Sequence, residues 1–383
     1  MKTLLARFLF ATVATLLTNS LAFSAGVADG VSTRQILIGQ NITLEGGKND
    51  YGVAVLAGMH TYLDSVNSRG GVNGRLVVLK TLDDDNKSDK AEANARQLVE
   101  QDKVFILFGS IEGGPSTAVM KVADDLKVPF FGPMAGSPTL RRPYQPLVFP
   151  VRAEHREEFR TLLTHARSLG MSKAAFLRSD SETGQQHLAN VRLICQELGM
   201  TLVADLPFKS DITEPQLDAM AAQLTQSGAQ VVFNHGGARV YEGLIRKTRA
   251  RNSSISFFAV NSASAQMVKH LGELAYGMIF TQVVPSPWER KTEITREYQD
   301  EFSKNKSGQE FSYGSLEGYI TARALVAALR LAGPNPTRES LLAALNNATL
   351  DISGLRAVYV PGDHKGLGFV DLSVVTREGR FRH

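Results

Sequence analysis

Apolar residues in this chain fall into short runs separated by amphipathic stretches. "QILIGQNI" (35–42), "RLVVLKTL" (75–82), "KVFILFG" (103–109) and "VPFFGP" (128–133) are rich in β-branched and aromatic residues, and residues 53–69, 88–102 and 115–126 between them carry apolar positions at helical spacing. Runs of this kind predict strands buried on both faces, and their alternation with helices predicts a mostly parallel sheet covered on both sides.

The same alternation then restarts. Strands are predicted at "KAAFLRS" (173–179), "TLVADLPF" (201–208), "AQVVFNH" (229–235), "SISFFAV" (254–260) and "GMIFTQVV" (277–284), with helices at 153–169, 184–199, 214–227, 238–251 and 263–272. Helical patterns at 290–305, 314–332 and 337–347 follow, and then "LRAVYV" and "GFVDLSVV" as a hairpin-like pair around "PGDHKG". The expected fold class is α/β, with two doubly wound parallel-sheet lobes joined by three crossovers. Lobe one takes 33–151 and 286–355, and lobe two takes 152–285 and 356–383. No low-complexity linker interrupts the pattern, so the connections are expected to be short and hinge-like.

The first residues break this grammar. Lys2 and Arg7 precede "FLFATVATLL", an apolar run too short for a membrane span, and small residues at Ser20 and Ala22, or Gly26 and Ala28, fit a signal-peptidase site. Residues 1–25 are read as a Sec-type signal cleaved between 22 and 28. The formal charge of +4 loses Lys2 and Arg7 on processing, leaving 42 − 2 = 40 basic against 38 acidic residues, or +2. Near-neutral charge without a basic block speaks against nucleic acid or anionic membrane as partner. The single cysteine, Cys195, lies on the apolar face of a predicted helix and is read as a buried thiol, and no cysteine follows the signal to carry a lipid anchor. The expected location is an extracytoplasmic space.

Local signals are fewer. "RGGVNGR" (69–75) reads as a helix C-cap turning into a strand, and Ser88 or Asp89 as the N-cap of the next helix. Asp83, Asp84 and Asp85 lack calcium-loop spacing and are read as a solvated strand end. "GSIEGGPSTA" (109–118) puts glycines between a strand and a helix N-terminus, the arrangement that cradles phosphates. No Walker, G-x-G-x-x-G or G-x-S-x-G pattern accompanies it, so neither a cofactor nor a catalytic residue is expected, and an enzyme is a remote alternative.

"ILIGQNITLEGG", the long stretch from "YGVAVLAGMHTYLDSVNSRGGVNGR" to "VFILFG", "VPFFGPMAGSPTLR", "EGYITARALVAAL" and the closing "GDHKG" together resemble the type I periplasmic solute-binding proteins of the leucine/isoleucine/valine-binding family, the receptors of ABC importers. The resemblance runs over nearly all of the chain after the signal. It implies two α/β lobes closing on a small ligand in the periplasm, a membrane permease as partner, and a monomer as the form that docks on it. A periplasmic protein presenting its closed form to a sensor kinase is the alternative.

In amino-acid-binding relatives, backbone N–H groups and hydroxyls of two lobe-one loops hold the ligand carboxylate. Those loops match Glu112, Gly113, Gly114 and Ser116, and Ala135, Gly136 and Ser137. Gly113 and Gly136 stand where the family has hydroxyl residues, with Ser116 and Ser137 as the available substitutes. Asn261 stands where an acid meets the ligand ammonium, and Tyr51 matches the aromatic of the first loop that covers the ligand. Glycines in place of side chains leave volume for a bulkier or neutral ligand, and Glu112 could supply the missing charge. Arg152, Thr183 and His235 complete the candidate cleft. Arg152 either forks onto a carboxylate or pairs with Glu154 or Glu157, and His235 ends a lobe-two strand at the edge where open α/β sheets bind ligands.

Overall fold

The structure, a computed structural model, describes residues 28–45, 49–209, 211–251, 253–261, 264–305 and 310–383. The predicted signal segment lies outside the described residues. Strands β1 (Gln35–Ile42), β2 (Leu76–Asp83), β3 (Leu107–Phe108), β4 (Phe130–Phe131) and β5 (Val148–Phe149) form a parallel sheet in the order β2-β1-β3-β4-β5. Helices α1 (Asn49–Ser68), α2 (Ser88–Glu100) and α3 (Gly113–Leu126) connect its strands.

After α4 (His155–Ser168) the chain builds a second sheet. Strands β6 (Lys173–Ser179), β7 (Thr201–Phe208), β8 (Val231–His235), β9 (Ser256–Ala259) and β10 (Ile279–Gln282) are parallel and alternate with α5 (Glu182–Glu197), α6 (Glu214–Gln226), α7 (Ala238–Ala250) and α8 (Ser264–Leu271). Helices α9 (Glu293–Asn305), α10 (Tyr313–Leu331) and α11 (Arg338–Leu345) return to the first lobe. There Leu316, Tyr319 and Ile320 of α10 share a core with Ile36, Val55 and Met59. The expected α/β class with two parallel-sheet lobes is what the structure has.

The tail differs from the expectation. β11 (Ala348–Ile352), β12 (Leu355–Val360) and β13 (Asp363–Gly366) form a separate antiparallel sheet, and only β14 (Asp371–Val375) and β15 (Phe381–Arg382) join the second sheet, next to β10. "LRAVYV" therefore pairs with "ATLDI" and "DHKG" rather than with "GFVDLSVV". Ala357 and Tyr359 of β12 bury themselves in the first lobe's core, so residues 356–366 stay with lobe one rather than returning to lobe two. The chain passes between the lobes after β5, after β10 and after β13.

Two local expectations also change. Ser88 is the first residue of α2, not its cap, and Lys87 holds the cap position without a side-chain hydrogen bond. Asp84 is buried rather than solvated, accepting from Asn41 Nδ2 at 2.6 Å and Thr43 Oγ1 at 2.6 Å. Asp83 accepts from the N–H of Leu44 at 2.7 Å, so the acidic run holds the turn that leaves β1. Among the described residues no helix is long and apolar enough to cross a membrane.

Candidate functional site

The first wall of the site follows from two glycines. A methyl group on Gly318 of α10 would lie 2.0 Å from the Val55 carbonyl oxygen, and one on Gly58 of α1 would lie 1.8 Å from that of Ser315. With hydrogen at both positions the helices touch backbone to backbone. That contact carries Tyr51, in the first turn of α1 rather than in a loop, up to Glu317, where its hydroxyl donates to Oε2 at 2.5 Å. Burial and the Glu317 carboxylate raise the Tyr51 hydroxyl well above its ordinary value.

The second wall is organised by Glu158 of α4, which is fully buried. Its Oε1 accepts from Arg152 Nη2 at 2.9 Å and His155 Nδ1 at 2.8 Å. Its Oε2 accepts from the N–H of Asn261 at 3.0 Å and Thr281 Oγ1 at 2.6 Å. Burial alone would raise this carboxyl, but His155, Arg152 and Thr281 pull it down to about 2. Arg152 thus pairs with Glu158 rather than with Glu154 or Glu157, and Glu154 pairs with Arg142. Burial would lower the Arg152 guanidinium, yet the carboxylates of Glu317 and Glu158 hold it above its ordinary value.

The walls meet at Glu317. Arg152 Nη1 lies 3.5 Å from its Oε1, and Asn261 Nδ2 donates to its Oε2 at 3.4 Å. Residues from both lobes and from the first passage between them form one buried charged cluster, with the side chains of Arg152 and Glu317 only 4% and 2% exposed.

The glycine-rich loops border this cluster in different ways. α3 begins at Gly113 with no side-chain cap, so its first-turn N–H groups have no capping side chain beside them. Glu112, half-buried with φ at +68°, adds its negative charge to the field at Tyr51 and Arg152. Such a backbone conformation costs about 1–3 kcal/mol in a non-glycine residue and persists where its surroundings enforce it. Gly114 is exposed, while Ser116 is buried with its Oγ lacking a hydrogen-bond partner. Ser137 Oγ pairs with Thr139 Oγ1 at 2.8 Å, and Ala135 packs in an apolar cluster with Leu140 and Val148.

Gly136 does not leave volume for a bulkier ligand. A methyl group there would stand 2.7 Å from Cγ and from the N of His155, which fills the space. At Gly113 the added carbon would lie an ordinary 3.7 Å from Ser137 Cβ.

His235 ends β8 and meets two histidines distant in sequence. Its ring centroid lies 4.7 Å from that of His155 and 3.7 Å from that of His187, with Phe159 beside them. Burial, then the neighbouring His155, holds His187 well below the ordinary histidine value. Among the described residues no group of three or more His, Cys, Asp or Glu is placed to hold a metal ion. Thr183 is half-buried in the first turn of α5 and is not one of the residues brought together around Arg152.

Sequence reasoning missed Glu317, Glu158 and Arg141. The half-buried Arg141 donates to the carbonyl oxygens of Ala135 at 3.4 Å, Ser137 at 3.2 Å and Arg152 at 3.0 Å, tying the 135–141 loop to the first passage. Glu317 had a legible signal, a lone acid in a helix otherwise apolar on nearly every face. A groove of about 1470 Å³ lies elsewhere, between Val268 of α8, Trp288, Tyr313 and Phe381. It contains none of the charged groups gathered around Arg152, so the charges rather than the volume mark the candidate site.

Comparison with known proteins places this geometry in context. A family model described as periplasmic binding protein matches residues 35–371. "Leu/Ile/Val-binding protein homolog 1" of Brucella abortus is 24% identical over 334 residues, covering 84% of this chain and 85% of the relative. Among solved structures, a possible leucine/isoleucine/valine-binding protein from Rhodopirellula baltica superposes with a TM-score of 0.82 at 23% identity, covering 94% of this chain and 98% of that one. A fatty acid ABC transporter substrate-binding protein from Thermomonospora curvata superposes with a TM-score of 0.80 at 18% identity, covering 92% of each chain.

Proposed function

The chain belongs to the periplasmic binding protein family, and from that premise we propose that it is the extracytoplasmic receptor of an ABC importer, closing its two lobes on a small polar organic solute such as an amino acid or a related carboxylate or amide. The observation that carries this reading is the buried cluster in which Arg152 and Asn261 on one side meet Tyr51 and Glu317 on the other. Charges gathered between lobes, rather than within one, reward closure and give a solute a polar place to bind.

In this reading Tyr51, Arg152 and Asn261 line the solute, with Glu112, Gly113, Gly114, Ser116, Ser137, Thr183 and His235 around them. Gly136 and Ala135 serve as packing that shapes the loop. The solute meets the first lobe at the α3 N-terminus, and closure brings the Glu158-held elements over it.

A thermal-shift screen of the purified protein against amino acids, aromatic acids, amides and dicarboxylates tests this. A solute at a hundred times its Kd adds about 2.7 kcal/mol of stability. Tyr51→Phe and Asn261→Ala should weaken its binding at least tenfold, and unchanged affinity in both refutes the site. Loss of uptake of that solute on deletion of the gene supports import, whereas intact uptake with a lost transcriptional response favours sensing.

A further inference from the structure

Two carboxylates share the buried cluster, and they are served unequally. Glu158 accepts four hydrogen bonds, two at each oxygen. Glu317, equally hidden at 1% exposure, has both its donors at Oε2, the Tyr51 hydroxyl and the Asn261 amide. Its Oε1 is buried without a hydrogen bond. The nearest cation, Arg152, stands 3.5 Å from that oxygen but 2.9 Å from Glu158, so one guanidinium answers two buried anions and gives its hydrogen bond to the other. Glu112 adds further negative charge to the same field.

A buried carboxylate oxygen is costly unless donors surround it, and native structures rarely leave one unmet without a use for it. The residue facing Glu317 from the second lobe is Asn261, whose amide donates to Glu317 and carries no charge.

We propose that Glu317 is the acceptor for an amine on the solute, presented through Oε1 from the first lobe, and that it makes the cleft selective for amine-bearing solutes over carboxylates of the same shape. This rests on reading the cleft as a solute site. When the lobes part, Glu317 and Tyr51 stay with α10 and α1, while Arg152 and Asn261 stay with Glu158. An ammonium entering at Oε1 brings three N–H donors to the oxygen that has none, and it adds a second cation where one guanidinium now faces two buried anions.

The test is isothermal titration of the purified protein with three matched trios. Leucine is compared with 4-methylpentanoate and 3-methylbutylamine, phenylalanine with 3-phenylpropanoate and phenethylamine, and glutamine with 4-carbamoylbutanoate and 4-aminobutanamide. In the best-bound trio the amine-bearing members should bind at least a hundredfold tighter than the deaminated acid. Glu317→Gln should cut binding of the amine-bearing members at least thirtyfold and leave the deaminated acid within threefold, while Glu317→Asp keeps part of the preference. The wild-type ratio alone decides the matter if either variant fails to fold. A deaminated acid that binds as tightly as its amino acid, with affinity lost in Asn261→Ala, overturns the amine acceptor and leaves the solute-receptor reading standing. Absence of binding by all nine probes overturns the inference and counts against that reading as well.

Discussion

Glu158→Gln is the perturbation that most directly questions the logic of the cluster. The carboxylate accepts from His155 and Arg152 at 2.8 and 2.9 Å on one oxygen and from Thr281 and Asn261 at 2.6 and 3.0 Å on the other. An amide replaces one of those oxygens by a donor, so whichever way it lies two donors face an N–H₂ group. In either orientation Arg152 loses its nearer charge and keeps only Glu317, at 3.5 Å, as a charged partner. Removing one partner of a buried ion pair costs about 3–5 kcal/mol. At about 2–4 °C per kcal/mol for a domain of this size, the melting temperature should fall by roughly 10 °C. Urea unfolding followed by circular dichroism at pH 7 reads the free energy.

The pH profile supplies an independent check. In the folded protein the Glu158 carboxyl is held at about 2, against an ordinary value of 4.5. A carboxyl lowered by folding contributes stability that is complete above the unfolded value and disappears as pH falls through the folded one. About 3 kcal/mol of wild-type stability should therefore fade between pH 4.5 and 2, and the gap between wild type and Glu158→Gln should close over the same window. A variant within about 1 kcal/mol of wild type at pH 7, or a gap that does not change with pH, refutes the account of Glu158 as a saturated anion.

Three further outcomes follow from particular contacts. Gly136→Ala places a methyl group against His155 Cγ at 2.7 Å and should cost about 1–3 kcal/mol in thermal unfolding, and an unchanged melting temperature means His155 is not packed there. Cys195, 3% exposed and pushed up to about 11 by burial, should react with a thiol reagent at pH 8 at least about a hundredfold slower in the native protein than in urea, and equal rates contradict its burial. Tyr359→Phe removes the hydroxyl that donates to the Pro150 carbonyl at 3.1 Å and should cost about 1 kcal/mol in urea, and an effect near zero would mean that the hydroxyl contributes nothing there.

The alternation of apolar runs carried the fold well, because parallel strands buried on both faces leave the same mark wherever they occur. It failed at the tail for a physical reason. β11 is five residues directly after a helix, and the turn at "PGDHKG" is a true hairpin turn whose second strand is "DHKG" itself, too polar to read as buried. Within the candidate site, Tyr51, Arg152 and Asn261 could be named from the sequence. Their partners could not: Glu158 stands only six residues after Arg152, but its bonds to Asn261 and Thr281, like those of Glu317 to Tyr51 and Asn261, join residues far apart in the chain and form only when both lobes are folded. Gly136 shows the limit of substitution reasoning: what looks like a vacated side chain is a place already taken by a neighbour.

The small third sheet beside the first passage bears on how the lobes can move. The N–H of Leu367 donates to the Val151 carbonyl at 2.7 Å, and His364 Nδ1 donates to the Val148 carbonyl at 2.7 Å. Together with Tyr359 on Pro150, these bonds tie Val148, Pro150 and Val151, at the end of β5 and the start of the first passage, to β12, β13 and the residue that follows β13. Val283 and Val284, which follow β10, share one buried cluster with Val151 and Ala153 of the first passage and Leu367 after β13, so the three connections are packed into one seam. Three threads bound in this way can only bend together, and any movement of one lobe against the other has to pass through these few residues.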